Sequence, residues 1–433
     1  MVRAPWRDTG PDRTTGPGRY GPALIPIGAT VLAFAAGFWQ KWPCHAAGWP
    51  NTTETLFGRY CYSDVPILFR ERGLIDGTFP FATNPGGQPL EYPVLTGYVM
   101  DWTARLTRAL VPGADVAVAS RAYFLTTVLV LLALAVLTVW AVRATLRRSG
   151  GRPGDALLVA AAPTLVLAGT VNWDLVAVAA GVLAVLAWTR ERPVLAGIMI
   201  GAGTAAKLFP LLLLFPLLLI CLRHRRTRDF ARVLGAAAGA WVVINLPVLV
   251  LYPDGWLEFW RFNAAREADF GSLWYALQQL GLPVPAVNTV AMAALCLLLV
   301  GVAALSWFAP RPPSLAQLGF LAVAAFLLTN KVYSPQYVLW LLPFAVLARG
   351  HIPRPGVLRD WAIWQAAEVL YWLAVWRWLA GTLPEEWYYP AATLLRIGAT
   401  AYLCGQVVSD VLTAEPSSRL VSPPAAVEAV RPG

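Results

Sequence analysis

The chain has 433 residues, of which 58% are hydrophobic and 13% are charged. That is about half the charge of an ordinary soluble domain, too little for a water-soluble fold, and the apolar content is too high for a disordered chain. The net charge of +10 does not by itself point to nucleic acid, because basic residues in polytopic membrane proteins serve orientation.

The composition predicts an all-α, multi-pass membrane protein. In chain order, apolar runs long enough to span a bilayer fall at 22–39, 118–142, 230–252, 286–308, 357–380 and 388–412. No small-residue cleavage site follows 22–39, so it reads as a span and not as a leader. Shorter runs fall at 155–170, 172–189, 314–330 and 335–349. The run 193–222 is interrupted by Lys207 and Pro210 and splits into 193–206 and 208–222. An amphipathic piece, 92–110, carries Asp101, Arg105 and Arg108 and is expected to lie on the outer interface.

Basic clusters set the sidedness. Arg3, Arg7, Arg13 and Arg19 place the N-terminus in the cytoplasm, and Arg143, Arg147, Arg148 and Arg152 must also be internal. Twelve spans satisfy every such cluster. Making 92–110 a crossing and 193–222 one helix also gives twelve, but strands the 143–152 cluster outside. Residues 1–21 and 413–433 then read as disordered cytoplasmic tails around a single transmembrane domain, 22–412. Its large external loops are 40–117, with interfacial helices, and 253–285.

This topology gathers the polar residues on the external face. They are Asp64, Asp76 and Glu91 in the first loop, Asn172 and Asp174 between two spans, and Lys207 at a hairpin tip. Arg261, Arg266, Glu267 and Asp269 follow in the second loop, then Asn330, Lys331 and Gln336 in a turn. All three lysines, Lys41 included, fall outside. Ionisable groups at membrane borders are functional candidates, and convergence from five segments strengthens them.

Each candidate also has a plainer reading. Asp64 precedes an amphipathic stretch and could be a helix N-cap or a catalytic acid. Lys207 could snorkel or bind an anion. Arg261 and Arg266, interleaved with aromatics, could anchor an interfacial helix or fork onto a phosphate. Cys44 and Cys61 share one loop, and a disulfide between them is left open. His45, His224 and His351 are too scattered for a metal site.

In combination, CYSDVPILFRERGL at 61–74, EYPVLTG at 91–97, NWDLVAV at 172–178, GAGTAAKLFPLLLL at 201–214 and SPQYVLWLLP at 334–343 carry a resemblance. The ordered set resembles the actinobacterial membrane glycosyltransferases of family 87, within the GT-C superfamily, from about residue 22 to 412. The resemblance implies a GT-C fold in a bacterial plasma membrane and an external, polyprenyl-phosphate-linked sugar donor, with mannose the expected sugar. It implies a glycolipid or glycan acceptor and inversion at the sugar carbon. Asp64 matches the catalytic acid and would act as general base. Asp174, Asp76 or Glu91 would handle the acceptor or serve as a second acid. Lys207, Lys331, Arg261 and Arg266 would hold the donor phosphate, and Tyr62, Tyr92, Asn172, Tyr333 and Gln336 would line the pocket. The resemblance implies no particular cofactor, and a divalent metal is left open. The rival reading is a transporter or flippase for a lipid-linked or anionic substrate, for which a midplane site and internal repeats would be expected.

Overall fold

The computed structural model describes residues 24–82 and 90–413, and the expected tails, with Arg3, Arg7, Arg13 and Arg19, lie outside the described residues. Among the described residues the secondary structure is helical throughout. The chain opens with α1 (Leu24–Ala46), α2 (Thr53–Leu56), α3 (Asp64–Glu71), α4 (Val94–Leu110) and α5 (Val116–Arg148). Two short helices follow, α6 (Leu157–Ala160) and α7 (Pro163–Ala168), and then α8 (Asp174–Thr189), α9 (Pro193–Ala206), α10 (Leu214–Arg223), α11 (Thr227–Leu251), α12 (Pro253–Ala265) and α13 (Leu273–Gln279). The last five are α14 (Val287–Phe308), α15 (Leu315–Thr329), α16 (Val338–Ala348), α17 (Arg354–Leu379) and α18 (Tyr388–Leu412).

Five of these helices, α1, α5, α11, α14 and α18, are long and apolar enough to cross a membrane, and shorter apolar helices pack among them. α1 runs seven residues past the expected end of the first span, through Pro43, so Lys41 lies within a helix and not in a loop. The expected span 155–170 is not one helix: Pro163 cannot donate a backbone hydrogen bond, and the segment breaks there. The break is tolerated because protein surrounds it. The side-chain oxygen of Gln365 on α17 accepts from both the backbone and the hydroxyl of Thr164, at 3.2 and 2.8 Å.

Helices α9 and α11 pack against each other. Gly197 and Gly201, one turn apart on α9, permit it: a Cβ there would meet the carbonyl oxygens of Val233 and Ala237 at 2.3 and 2.2 Å. At its far end α9 stops at Lys207, whose backbone is extended, and a 3-10 turn begins with Phe209 and Pro210. The expected division of 193–222 therefore holds, and the lysine sits at the junction.

Candidate active site

Local chemistry at the start of α3 decides what Asp64 does. Ser63 caps the helix, its hydroxyl oxygen accepting from the backbone of Val65 at 3.3 Å and donating to the carbonyl of Thr170 at 2.8 Å. The backbone N–H of Asp64 donates to the carbonyl of Val171 at 2.8 Å. The N-cap reading of Asp64 is thus corrected, since the neighbouring serine takes that place and leaves the carboxylate free. One carboxylate oxygen accepts from the Tyr62 hydroxyl at 2.6 Å, the other from Tyr92 at 3.2 Å.

Cys44 and Cys61 form a disulfide, which ties the end of α1 to the segment just before Asp64. Burial pushes the Asp64 carboxyl above the usual carboxylate range, while the Tyr62 hydroxyl and the Lys207 ammonium pull it back. Burial also holds the Tyr62 and Tyr92 hydroxyls protonated far beyond the ordinary tyrosine range, so both remain donors.

A cavity of about 390 Å³ opens in front of this carboxylate, a size typical of small-molecule sites. Its polar lining holds Asp64, Glu91, Tyr62, Tyr92, Lys207, Gln336 and Tyr337. The lining is also aromatic, with Phe57, Phe259, Phe262, Phe270 and Trp376. Lys207 pairs with buried Asp174 at 2.9 Å and stands over the rings of Tyr92 and Tyr337, 4.7 and 5.5 Å from their centroids. Asn172 sits behind it, its side-chain oxygen accepting from the backbone of Asp174 at 3.0 Å.

The remaining candidates divide. Glu91 lines the cavity, but Arg72 grips both its oxygens at 3.0 Å. Asp76 is exposed and is not among the lining residues. Arg266 lines the cavity with its guanidinium against Asp269 at 2.7 Å, whereas Arg261 is exposed, reaches Asp254 at 3.4 Å and lies outside the lining. Lys331 is also outside it, its ammonium donating to the backbone carbonyl of Arg266. Tyr333 turns into the protein, where its hydroxyl meets Glu368 at 3.3 Å.

Two interhelical segments are joined here by backbone hydrogen bonds, Asp269 N–H to the Lys331 carbonyl at 2.9 Å and Tyr333 N–H to the Phe270 carbonyl at 3.0 Å. Between them Gly271 has φ +73°, and a Cβ on it would meet the Tyr333 carbonyl oxygen at 2.1 Å, so only glycine fits. Fully buried Arg396 fastens the junction, donating to the carbonyls of Tyr333 and Ser334 at 2.6 and 3.2 Å and pairing with Glu368 at 2.8 Å.

Sequence reasoning missed Tyr337, Asn263 and the aromatic wall, and it missed Arg396. A turn rich in polar residues signalled Tyr337, but the wall is assembled from separate helices and turns and has no local pattern. Lys41, expected in the first loop, is buried in α1 with its side-chain nitrogen 4.8 Å from the Trp372 ring centroid. Among the described residues no three His, Cys, Asp or Glu side chains come together as a metal site.

The model of Glycosyltransferase family 87 matches residues 102–329, just over half of the chain. That segment includes Asp174, Lys207 and Arg266, while Asp64, Glu91 and Tyr92 precede it. No curated protein matches the chain. Among solved structures, ArnT from Cupriavidus metallidurans bound to undecaprenyl phosphate is similar at 17% identity over 88% of this chain and 78% of that one, with a TM-score of 0.45.

Proposed function

The chain belongs to Glycosyltransferase family 87, and from that premise we propose that it moves a sugar, mannose, from a polyprenyl-phosphate donor to an extracytoplasmic glycolipid or glycan. As a glycosyltransferase it makes and breaks bonds, so the transporter reading falls away. In this reading the protein has the GT-C organisation with twelve spans, both termini in the cytoplasm and the cavity on the outer face. The observation that carries the chemistry is one carboxylate, Asp64, held by two tyrosine hydroxyls at the edge of a cavity that it shares with Lys207.

The acceptor hydroxyl attacks the anomeric carbon of the sugar as Asp64 takes its proton. The bond from that carbon to the phosphate oxygen breaks, and the polyprenyl phosphate leaves with the electron pair. Attack opposite the leaving group inverts the configuration. A carboxylate at its ordinary pKa is a weak base for an alcohol, and the upward push from burial makes Asp64 a better one. The departing phosphate gains negative charge, which Lys207 and Arg266 at the cavity wall are placed to stabilise. The aromatic lining suits the face of a sugar ring and the first units of a prenyl chain.

Asp174 orients Lys207, and Glu91 keeps its place through Arg72. The test is transfer from radiolabelled polyprenyl-phosphate mannose into extracted envelope lipids by the purified protein in nanodiscs. Labelled product from wild type, and about a hundredth of it or less from Asp64→Asn, is the expected result. Full transfer by a folded Asp64→Asn protein would remove Asp64 from the mechanism.

A further inference from the structure

The charged groups that line the cavity are already partnered by the protein. Asp64 accepts from two tyrosines, Glu91 is gripped by Arg72, Lys207 is paired with Asp174, and Arg266 with Asp269. The turn from Ser334 to Tyr337 differs. Its Gln336 side chain lines the cavity and is 8% exposed, yet its carboxamide makes no hydrogen bond among the described residues. Burying an amide with neither its oxygen nor its N–H groups bonded costs free energy. Native folds rarely keep such a group unless something outside the chain fills its bonds.

The turn that carries this amide is held on both sides of it. Pro335 opens a 3-10 turn in which the Tyr337 N–H donates to the Ser334 carbonyl at 3.0 Å. Arg396 donates to that same carbonyl at 3.2 Å and to the Tyr333 carbonyl at 2.6 Å. The Tyr337 ring stacks on Trp340 with 4.0 Å between centroids, and Trp340 stacks on Phe209 at 4.8 Å. Gln336 therefore projects from a fixed backbone, and little freedom is left to lose on binding. Its place along the cavity is set by its neighbour. The Lys207 ammonium stands over the Tyr337 ring, 5.5 Å from the centroid, so Gln336 lies one residue from the proposed seat of the phosphate.

The parts of a polyprenyl-phosphate sugar make different demands. The phosphate asks for cations, and the prenyl chain forms no hydrogen bonds. Sugar hydroxyls both donate and accept, and a carboxamide offers one acceptor oxygen and two N–H donors in a fixed plane. We propose that Gln336 is a specificity-determining residue: its carboxamide binds two adjacent hydroxyls of the transferred sugar and so selects among sugars carried on the same lipid phosphate. This rests on the reading of the chain as a transferase that uses a polyprenyl-phosphate donor. A sugar whose hydroxyl points elsewhere leaves one end of the buried amide unpaired, and that lost bond is the source of the discrimination.

Binding measured without acceptor tests this apart from any transfer. The full chain in nanodiscs is titrated by calorimetry with polyprenyl phosphate and with its mannose, glucose and galactose esters, epimers that differ in single hydroxyls. Wild type should prefer one ester by about tenfold. Gln336→Met should flatten that preference and bind bare polyprenyl phosphate as wild type does. Its melting temperature without ligand should hold or rise, because no hydrogen bond within the protein is lost. Gln336→Leu supplies a second apolar variant should the methionine protein not fold. A wild type with no preference, a preference that survives in the variants, or an equal loss for the bare phosphate overturns the proposal. A preference for glucose or galactose that the variants flatten would unseat mannose and leave Gln336 in its role. Flattened binding with no labelled product in the transfer assay would remove the proposed transfer and keep the sugar contact.

Discussion

The hydroxyl of Tyr62 donates to the carboxylate of Asp64 at 2.6 Å across a single intervening residue, Ser63, which caps α3. That bond favours the charged form of Asp64, so its removal has a sign. In Tyr62→Phe the carboxyl pKa should climb further above its already raised position, and the acidic limb of the pH–activity profile should shift to higher pH. Measuring kcat/KM against pH for the two proteins decides the matter; superimposable limbs would refute it.

Asp64→Asn should lower kcat by about 10²–10⁴-fold, the usual contribution of a general base. Its stability should move the other way. A carboxyl whose folded-state pKa is raised favours the fold while protonated, and that contribution is lost as pH rises through the folded value. Above that value the wild type carries a costly buried charge and the asparagine variant does not. The variant should therefore melt no lower than wild type at neutral pH, and its advantage should vanish in acid. Thermal melts at two pH values check this.

Lys207 and Asp174 are coupled partners at 2.9 Å, with side chains only 14% and 2% exposed. Lys207→Met strands the aspartate and should cost about 3 kcal/mol or more. The double variant Lys207→Met, Asp174→Asn should recover much of that stability but not the transfer rate, because the charge beside the leaving phosphate is gone. A double-mutant cycle in urea, run beside the transfer assay, separates the two effects. Parallel recovery of both would argue against the phosphate role.

The Cys44–Cys61 disulfide closes a short loop, with a sequence separation of 17. Replacing both cysteines with serine should cost about 3 kcal/mol. It should also lower kcat, because the crosslink anchors the residues that lead into α3. Melting curves with and without reductant give the first number, and single-time-point transfer gives the second.

Much of the helical frame was legible from hydropathy. The start of α12 and the break at Lys207 fall where proline interrupts the apolar pattern, as local chemistry requires. The apolar run understated α1, which continues past Gln40 and Lys41, accommodates Pro43 and ends at Ala46. Of the adjacent Ser63 and Asp64, either can cap a helix, and only the carbonyls of Thr170 and Val171 decide between them. Those carbonyls belong to another segment, over a hundred positions away. Asp76 in a turn and Arg261 on α12 carry suitable charges in suitable segments, yet neither lines the cavity; which way such a side chain faces is a tertiary fact. Asp174 and Lys207 could each be singled out as odd charges, but not as a pair.

α17 has further consequences. Glu368, Trp372, Val375, Trp376 and Leu379 recur at helical spacing on one face of it. The first grips Arg396, which fastens the 333–334 backbone; the second shields Lys41; the last three line the cavity. Tilting this one helix by a few degrees would alter the width of the cavity, the packing over Lys41 and the seat of the Ser334–Tyr337 turn together. Substitutions along its inner face should therefore fail to add, so that two mild changes there could do more harm, or less, than their sum. An inhibitor wedged against Trp376 would act on all three settings through a single lever.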